Sequence, residues 1–128
     1  MCYGKNLVSK QNGSVAGKNM DRQKGRAWIE LNMDNLVHNV KQFRDILPKG
    51  CALMPAVKAN AYGHGMGQIG QALAEIGIQD FCVASAGEAV ELRNAGIGGQ
   101  ILILGYTPPC QFEDLVHYHL TQTVVDLP

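Results

Sequence analysis

Short apolar segments alternate with helix-like segments along most of this chain, at intervals of about 25 residues. Five of the apolar segments have the composition of β-strands, and they occupy residues 27–31, 51–57, 81–84, 101–104 and 121–125. Strands that are apolar throughout and separated by helices are typical of a parallel sheet covered on both faces. The pattern therefore predicts an α/β fold with about five parallel strands and about four helices, joined by right-handed crossovers.

Two architectures close a parallel sheet of this kind: an open doubly wound sheet and a (β/α)8 barrel. A barrel needs about 250 residues, whereas this chain has 128. The Gly-rich loop that marks a dinucleotide-binding sheet, G-x-G-x-x-G, does not follow the first predicted strand. The residue pattern leaves both architectures open, and a barrel would be about half complete.

Helix signals fill the intervals between the predicted strands. Apolar residues at helical spacing predict helices over 36–47 and 66–76. Ser85 and Glu88 have the spacing of a capping box, which predicts that the third helix begins there. A fourth helix is expected after the proline pair at 108–109. Its inner face should carry Phe112, Leu115 and Val116.

The beginning of the chain differs in charge from the rest. Residues 1–26 hold six basic residues and one acidic residue, a net charge of +5, whereas residues 27–128 hold five basic and ten acidic residues, a net charge of −5. Residues 1–25 show no hydrophobic period, so we expect a flexible basic tail or linker there and a folded domain over 26–128. The formal net charge of zero argues against a nucleic-acid partner. No apolar run is long enough to span a membrane, so membrane attachment would require a domain upstream of this chain.

The cysteines indicate a reducing compartment, and we expect the cytoplasm. Cys2, Cys51, Cys82 and Cys110 lie far apart in sequence, form no C-x-x-C pair and have no histidine at metal-binding spacing. We therefore expect neither a structural disulfide nor a metal site. Cys51 and Cys82 lie in apolar runs and are predicted to be small buried residues.

Functional groups gather at the carboxyl ends of the strands in both architectures. Lys58 follows the most apolar of the predicted strands, and no lysine occurs after it. An amine at the mouth of an apolar barrel can act as a nucleophile, because desolvation disfavours its charged form. A lysine at a strand end also commonly extends its ammonium group to water. The position of Lys58 alone leaves both interpretations open.

The residues around Lys58 carry a more specific signal. The run Ala-Val-Lys-Ala-Asn-Ala-Tyr-Gly-His-Gly at 56–65 strongly resembles the pyridoxal-phosphate signature of the alanine racemase family. Segments 26–31, 81–97 and 101–105 are similar to the family's opening strand, third unit and fourth strand, so the resemblance covers 26–128. Two loop segments, 105–108 and 121–124, are also similar to the racemase half of membrane-bound serine racemases of the vancomycin-resistance type.

The resemblance implies the N-terminal part of a (β/α)8 TIM barrel. It also implies an isomerase that uses pyridoxal 5'-phosphate to interconvert L- and D-alanine, or serine, for cell-wall precursors. Lys58 would bind the cofactor and act as one of the two racemisation bases. Tyr62 would donate a hydrogen bond to the cofactor phosphate, and Leu104 would line the cofactor pocket. Asn60 and His64 are expected to form the turn that follows the lysine.

The resemblance further implies parts that this chain does not contain. In the family, the second base is a tyrosine from a C-terminal β domain, contributed by the partner subunit of a homodimer. The arginine that meets the cofactor's pyridine nitrogen lies on a later strand. We therefore expect a gene fragment or a truncated reading frame, with little activity on its own. The alternative is a non-catalytic module that binds pyridoxal phosphate or another protein, as in the pyridoxal-phosphate homeostasis proteins. The complete run at 56–65 favours the racemase.

Overall fold

The computed structural model describes residues 29–126. The predicted tail and residues 27 and 28 of the first predicted strand lie outside this range. The helices are α1 (Met33–Ile46), α2 (Lys58–Tyr62), α3 (Met66–Glu75), α4 (Ala86–Asn94) and α5 (Phe112–His117), with a short 3-10 helix at Pro109–Gln111 before α5. The strands are β1 (Phe81–Val83), β2 (Ile101–Ile103) and β3 (Thr121–Gln122).

The strands form one parallel sheet in the order β1-β2-β3. Phe81 pairs with Ile101, and Leu102 pairs with Thr121. A fourth parallel segment joins the sheet through a single bridge between Ala56 and Cys82. The parallel α/β pattern predicted from the sequence is therefore confirmed, because every observed pairing in residues 29–126 is parallel.

Three of the predicted strands are shorter than expected. Residues 29–31 form no strand, and the segment 51–57 pairs only around Ala56. Pro55 has no N–H to donate, which limits the pairing of that segment. Its carbonyl nevertheless accepts a hydrogen bond from Cys82 N at 2.9 Å. The last strand ends at Gln122, and the valines at 124 and 125 are exposed, because no further strand pairs with them in the described part of the chain.

The core lies between the sheet and the helices α3 and α4. Alternate strand residues on one face are fully buried, and Met66, Ala89 and Leu92 from the helices pack against them. The buried strand residues are Phe81, Val83, Ile101 and Ile103. The opposite face carries Cys82 and Leu102, which are only half-buried. One face of this sheet is therefore packed and the other is partly open.

The helix predictions hold for α3 and α4 but only partly for α5. Ser85 Oγ accepts a hydrogen bond from Glu88 N at 3.3 Å, which confirms the predicted N-cap of α4. The inner face predicted for the helix after the proline pair, which is α5 in the structure, was wrong. Phe112 is 50% exposed and Val116 is 76% exposed, and only Leu115 packs against the core. Residues four positions apart share a helix face, so in this helix of six residues Phe112 and Val116 turn outward together.

The cysteine environments correct a second prediction. Cys51 is exposed, because the segment that contains it pairs with the sheet only at its far end. Cys82 is half-buried on β1, and burial raises the pKa of its thiol. Cys51, Cys82 and Cys110 are all free.

Two adjacent glycines before β2 give a matched test of this packing. A Cβ on Gly99 would lie 2.5 Å from the carbonyl carbon of Gln79 and 2.7 Å from Asp80 Oδ1, whereas a Cβ on Gly98 would meet nothing within 4 Å. We expect Gly99→Ala to lower the free energy of unfolding by about 2 kcal/mol, and Gly98→Ala to change it by less than about 0.5 kcal/mol. Urea denaturation of both variants measures the difference. Equal effects would contradict the close approach of Gly99 to the 79–80 backbone.

Candidate active site

The carboxyl ends of the parallel segments meet at one edge of the sheet. Lys58 follows the bridged segment and is half-buried there. Leu104 follows β2, and its N–H donates to the carbonyl of Val83 at the end of β1, at 2.9 Å. The Leu104 side chain is 45% exposed. The sheet thus brings Lys58 and Leu104 to the same edge, as expected for the functional edge of a parallel α/β fold.

The chain turns left-handed immediately after Lys58. Ala59, Asn60, Ala61 and Tyr62 all have φ between 51° and 54°. For residues with a Cβ, each such position costs about 1–2 kcal/mol relative to a right-handed conformation. Four in succession persist only where the surroundings fix the backbone, and strained backbone of this kind clusters at functional sites. The helix α2 is therefore a strained turn that presents Lys58 at its start.

A network of short hydrogen bonds stabilises this turn. Ala61 N donates to Val57 O at 2.8 Å, and Gly65 N donates to Asn60 O at 2.9 Å. Asn60 Oδ1 accepts from Met66 N, and the His64 ring bonds to Ala61 O through Nδ1, both at 2.8 Å. These contacts agree with the turn-forming roles predicted for Asn60 and His64.

Two glycines end the turn. Gly63 and Gly65 have φ of 89° and 98°, values that favour glycine. Tyr62, the last residue of α2, is 61% exposed at the end of the turn.

Glu88 connects the turn to the sheet. Its Oε1 accepts a hydrogen bond from Ala59 N and its Oε2 accepts one from Ala84 N, both at 2.8 Å. The capping box predicted from Ser85 and Glu88 is therefore only half formed, since the Glu88 carboxylate does not bond back to Ser85 N. The capping spacing correctly indicated the helix start but gave no sign of the contact with Ala59, which is 29 residues away.

A polar cluster fixes the loop that carries Leu104. Thr107 is buried and donates its hydroxyl hydrogen to Gln122 Oε1 at 2.5 Å. Gln122 Nε2 in turn donates to Gly105 O at 2.7 Å. This cluster ties the loop after β2 to β3. Thr107 follows the predicted strand at 101–104, a position where functional groups are expected, whereas Gln122 lies within a predicted strand and was not expected at the site.

One basic side chain at this edge is that of Lys58. Arg93 is the only other lysine or arginine from residue 58 onward. Its guanidinium donates to four backbone carbonyls: Ile97, Gly99, Tyr118 and His119. Burial lowers the pKa of Arg93, although arginine remains protonated under ordinary conditions. Arg93 is thus committed to structure and does not serve the site.

An apolar cavity of about 470 Å³ lies between α1, the 53–57 segment and α3. Ala61, Tyr62 and His64 line its edge, but Lys58 and Leu104 do not. Of the three residues expected to bind the cofactor, this cavity therefore contacts only Tyr62. Residues 29–126 contain no group of acidic, histidine or cysteine side chains that could hold a metal ion.

These features define a parallel β/α segment with a lysine in a strained turn at its carboxyl edge. The family described as "Alanine racemase, N-terminal domain" matches residues 31–128. The chain belongs to the alanine racemase family. It is the incomplete N-terminal part of a (β/α)8 barrel, so the doubly wound alternative is excluded.

Known relatives extend well beyond this segment. An amino-acid racemase of Enterococcus faecalis is 46% identical over 100 residues, which is 78% of this chain and 14% of that protein. An alanine racemase of Carboxydothermus hydrogenoformans is 44% identical over 97 residues, 76% of this chain and 26% of that protein. The crystal structure of alanine racemase from E. faecalis superimposes with a TM-score of 0.69 and 40% identity, covering 73% of this chain and 25% of that one. The chain therefore spans about a quarter or less of the length of these relatives.

The comparisons support a racemase, and hence an isomerase, as the class of enzyme to which this chain is related. Within the described residues, none of the helices combines the length and the apolar character needed to cross a membrane.

Proposed function

We propose that this chain supplies the lysine-bearing part of a pyridoxal 5'-phosphate-dependent alanine racemase. The observation that carries the proposal is the placement of Lys58 at the start of a left-handed turn on the carboxyl edge of the sheet. An amine, a phenol and an apolar side chain suit the covalent attachment, the phosphate and the ring of this cofactor. Lys58, Tyr62 and Leu104 provide these three groups.

The resemblance to the family implies a role for each of these residues, and the chemistry of each side chain suits that role. Lys58 would hold the cofactor covalently, and its amine would take or return the substrate α-proton on one face. The Tyr62 hydroxyl would donate a hydrogen bond to the phosphate, and Leu104 would line the side of the ring. When bound, the cofactor supplies an electron sink for the charge that develops at the substrate α-carbon.

The other phosphate donors and the second base would come from parts of the enzyme outside this chain. A phosphate dianion needs several donors, and the only lysine or arginine besides Lys58 among residues 58–126 is Arg93, whose guanidinium is bonded to backbone carbonyls. The base for the opposite face would come from the partner subunit of a homodimer. We therefore propose that residues 1–128 alone bind the cofactor weakly and racemise alanine poorly. In its complete form the enzyme would act in the cytoplasm and supply D-alanine for cell-wall precursors.

A chimera tests this function without further sequence from this gene. Residues 31–126 replace the matching segment of the E. faecalis alanine racemase, and the product is called the racemase chimera below. With added pyridoxal phosphate we expect the racemase chimera to interconvert L- and D-alanine, and the 128-residue chain to show no measurable rate. A folded, dimeric chimera without activity would contradict the proposal. Rapid racemisation by the 128-residue chain would contradict the assignment of the second base to another part.

Serine is a second candidate substrate. The amino-acid racemase of E. faecalis, 46% identical over the matched segment, is a much longer protein than the alanine racemases, since this chain covers only 14% of it. The support for serine is the similarity of loops 105–108 and 121–124 to the racemase half of membrane-bound serine racemases. Comparing kcat/KM for alanine and serine in the complete protein distinguishes the two. A non-catalytic module is not favoured, because the relatives reported above are named as racemases.

A further inference from the structure

We propose that Glu88 is a positioning residue that holds the backbone of Lys58 in place for covalent attachment of the cofactor. The inference rests on the proposed function of Lys58 and adds a residue that the signature at 56–65 does not contain. Glu88 lies on α4, 30 positions along the chain from Lys58. Its role follows from two hydrogen bonds rather than from sequence proximity.

Glu88 contacts the peptide group that follows Lys58. Ala59 N belongs to the peptide that joins Lys58 to Ala59, and this planar unit includes the Lys58 Cα. Glu88 Oε1 accepts from that N–H at 2.8 Å. The carboxylate therefore restricts the orientation of the peptide plane from which the Lys58 side chain emerges.

The other oxygen of the Glu88 carboxylate bonds to the end of β1. Glu88 Oε2 accepts from Ala84 N at the end of β1, also at 2.8 Å. The helix that carries Glu88 is fixed to the core by Ala89 and Leu92, which are fully buried. Glu88 thus ties the Lys58 peptide to the end of β1, a strand whose Phe81 and Val83 are fully buried.

The strained left-handed backbone begins at Ala59, the residue whose N–H bonds to Glu88. Its φ of 51° is the first of the four left-handed values, so the bond from Glu88 acts where the chain departs from its preferred conformation. A carboxylate suits this position because both of its oxygens accept hydrogen bonds. Glutamine offers one carbonyl oxygen and would turn an NH2 group toward the second N–H.

The experiment measures how selectively pyridoxal phosphate reacts with Lys58 in the 128-residue chain. The amine condenses with the aldehyde and releases one water, and borohydride then reduces the C=N bond to a stable secondary amine. Peptide mass spectrometry gives the labelled fraction of Lys58 relative to Lys41 and Lys49, which are exposed in the same chain. We expect preferential labelling of Lys58 in the parent chain and loss of that preference in Glu88→Gln.

Two further variants separate positioning from a general loss of stability. Glu91→Gln removes the same charge from an exposed position on the same helix and should keep the preference. Gly99→Ala destabilises the fold away from the turn and should also keep it. If Glu88→Gln keeps the preference for Lys58, or if Gly99→Ala loses it equally, the positioning role is overturned while Lys58 remains the reactive lysine. If the parent chain shows no preference for Lys58, the positioning role is overturned, and the same labelling of the racemase chimera decides separately whether Lys58 is the attachment site.

Discussion

Replacing Lys58 by alanine in the racemase chimera is expected to lower the rate of alanine racemisation by at least about 1,000-fold. The substitution removes both the point of cofactor attachment and the base on one face of the substrate. Lys58→Arg should lose as much activity, because the guanidinium keeps the positive charge but is not a nucleophile at ordinary pH. The rate is measured from the loss of optical rotation of L-alanine.

Lys41→Ala is the matched control for this prediction. Lys41 is an exposed lysine on α1, and its removal should leave the rate unchanged. A Lys58→Ala chimera that keeps more than about a tenth of the parental rate would contradict the assignment of Lys58, because loss of a positioned base alone costs more than this.

Arg93→Ala is expected to lower the free energy of unfolding of the 128-residue chain by about 3 kcal/mol. One guanidinium satisfies four carbonyls from two loops, Ile97 and Gly99 before β2 and Tyr118 and His119 before β3. Its bonds to Ile97 O and Gly99 O are both 2.7 Å long. Without Arg93, partly buried carbonyls would lose their donors, which costs more than the bonds themselves contribute.

Arg93→Lys should recover less than half of this loss. An ammonium group is compact and cannot span four acceptors that lie around a planar guanidinium. Urea denaturation measures both variants, with Lys41→Ala as the exposed control. An Arg93→Ala chain whose unfolding free energy lies within about 0.5 kcal/mol of the parent would show that these carbonyls find other donors.

The local patterns of the sequence predicted the regular part of the fold. The strands predicted at 81–84 and 101–104 and the helix predicted at 66–76 coincide with β1, β2 and α3. These predictions succeed because hydrophobic periodicity and capping act over short distances. The length of the strand before Lys58 was overestimated. Its composition suits a strand, but pairing depends on neighbours and on the missing donor of Pro55.

The candidate site could be predicted only in part from the sequence. The resemblance to the family implied Lys58, Tyr62 and Leu104, and these three assignments remain predictions. The left-handed turn was not predictable, because alanine and tyrosine intrinsically disfavour it and distant hydrogen bonds impose it. Glu88 was interpreted as a cap, since its contact with Ala59 depends on how α4 packs against the sheet.

The most direct test of the account is to locate the cofactor in the racemase chimera. The chimera is loaded with pyridoxal phosphate, reduced with borohydride and digested, and the modified peptide is identified by mass spectrometry. The account predicts a single phosphopyridoxyl group on Lys58, with an absorbance band of the loaded protein that is absent in Lys58→Ala. A group bound mainly to Lys41, Lys49 or a lysine of the host sequence, with Lys58 unmodified, would contradict it.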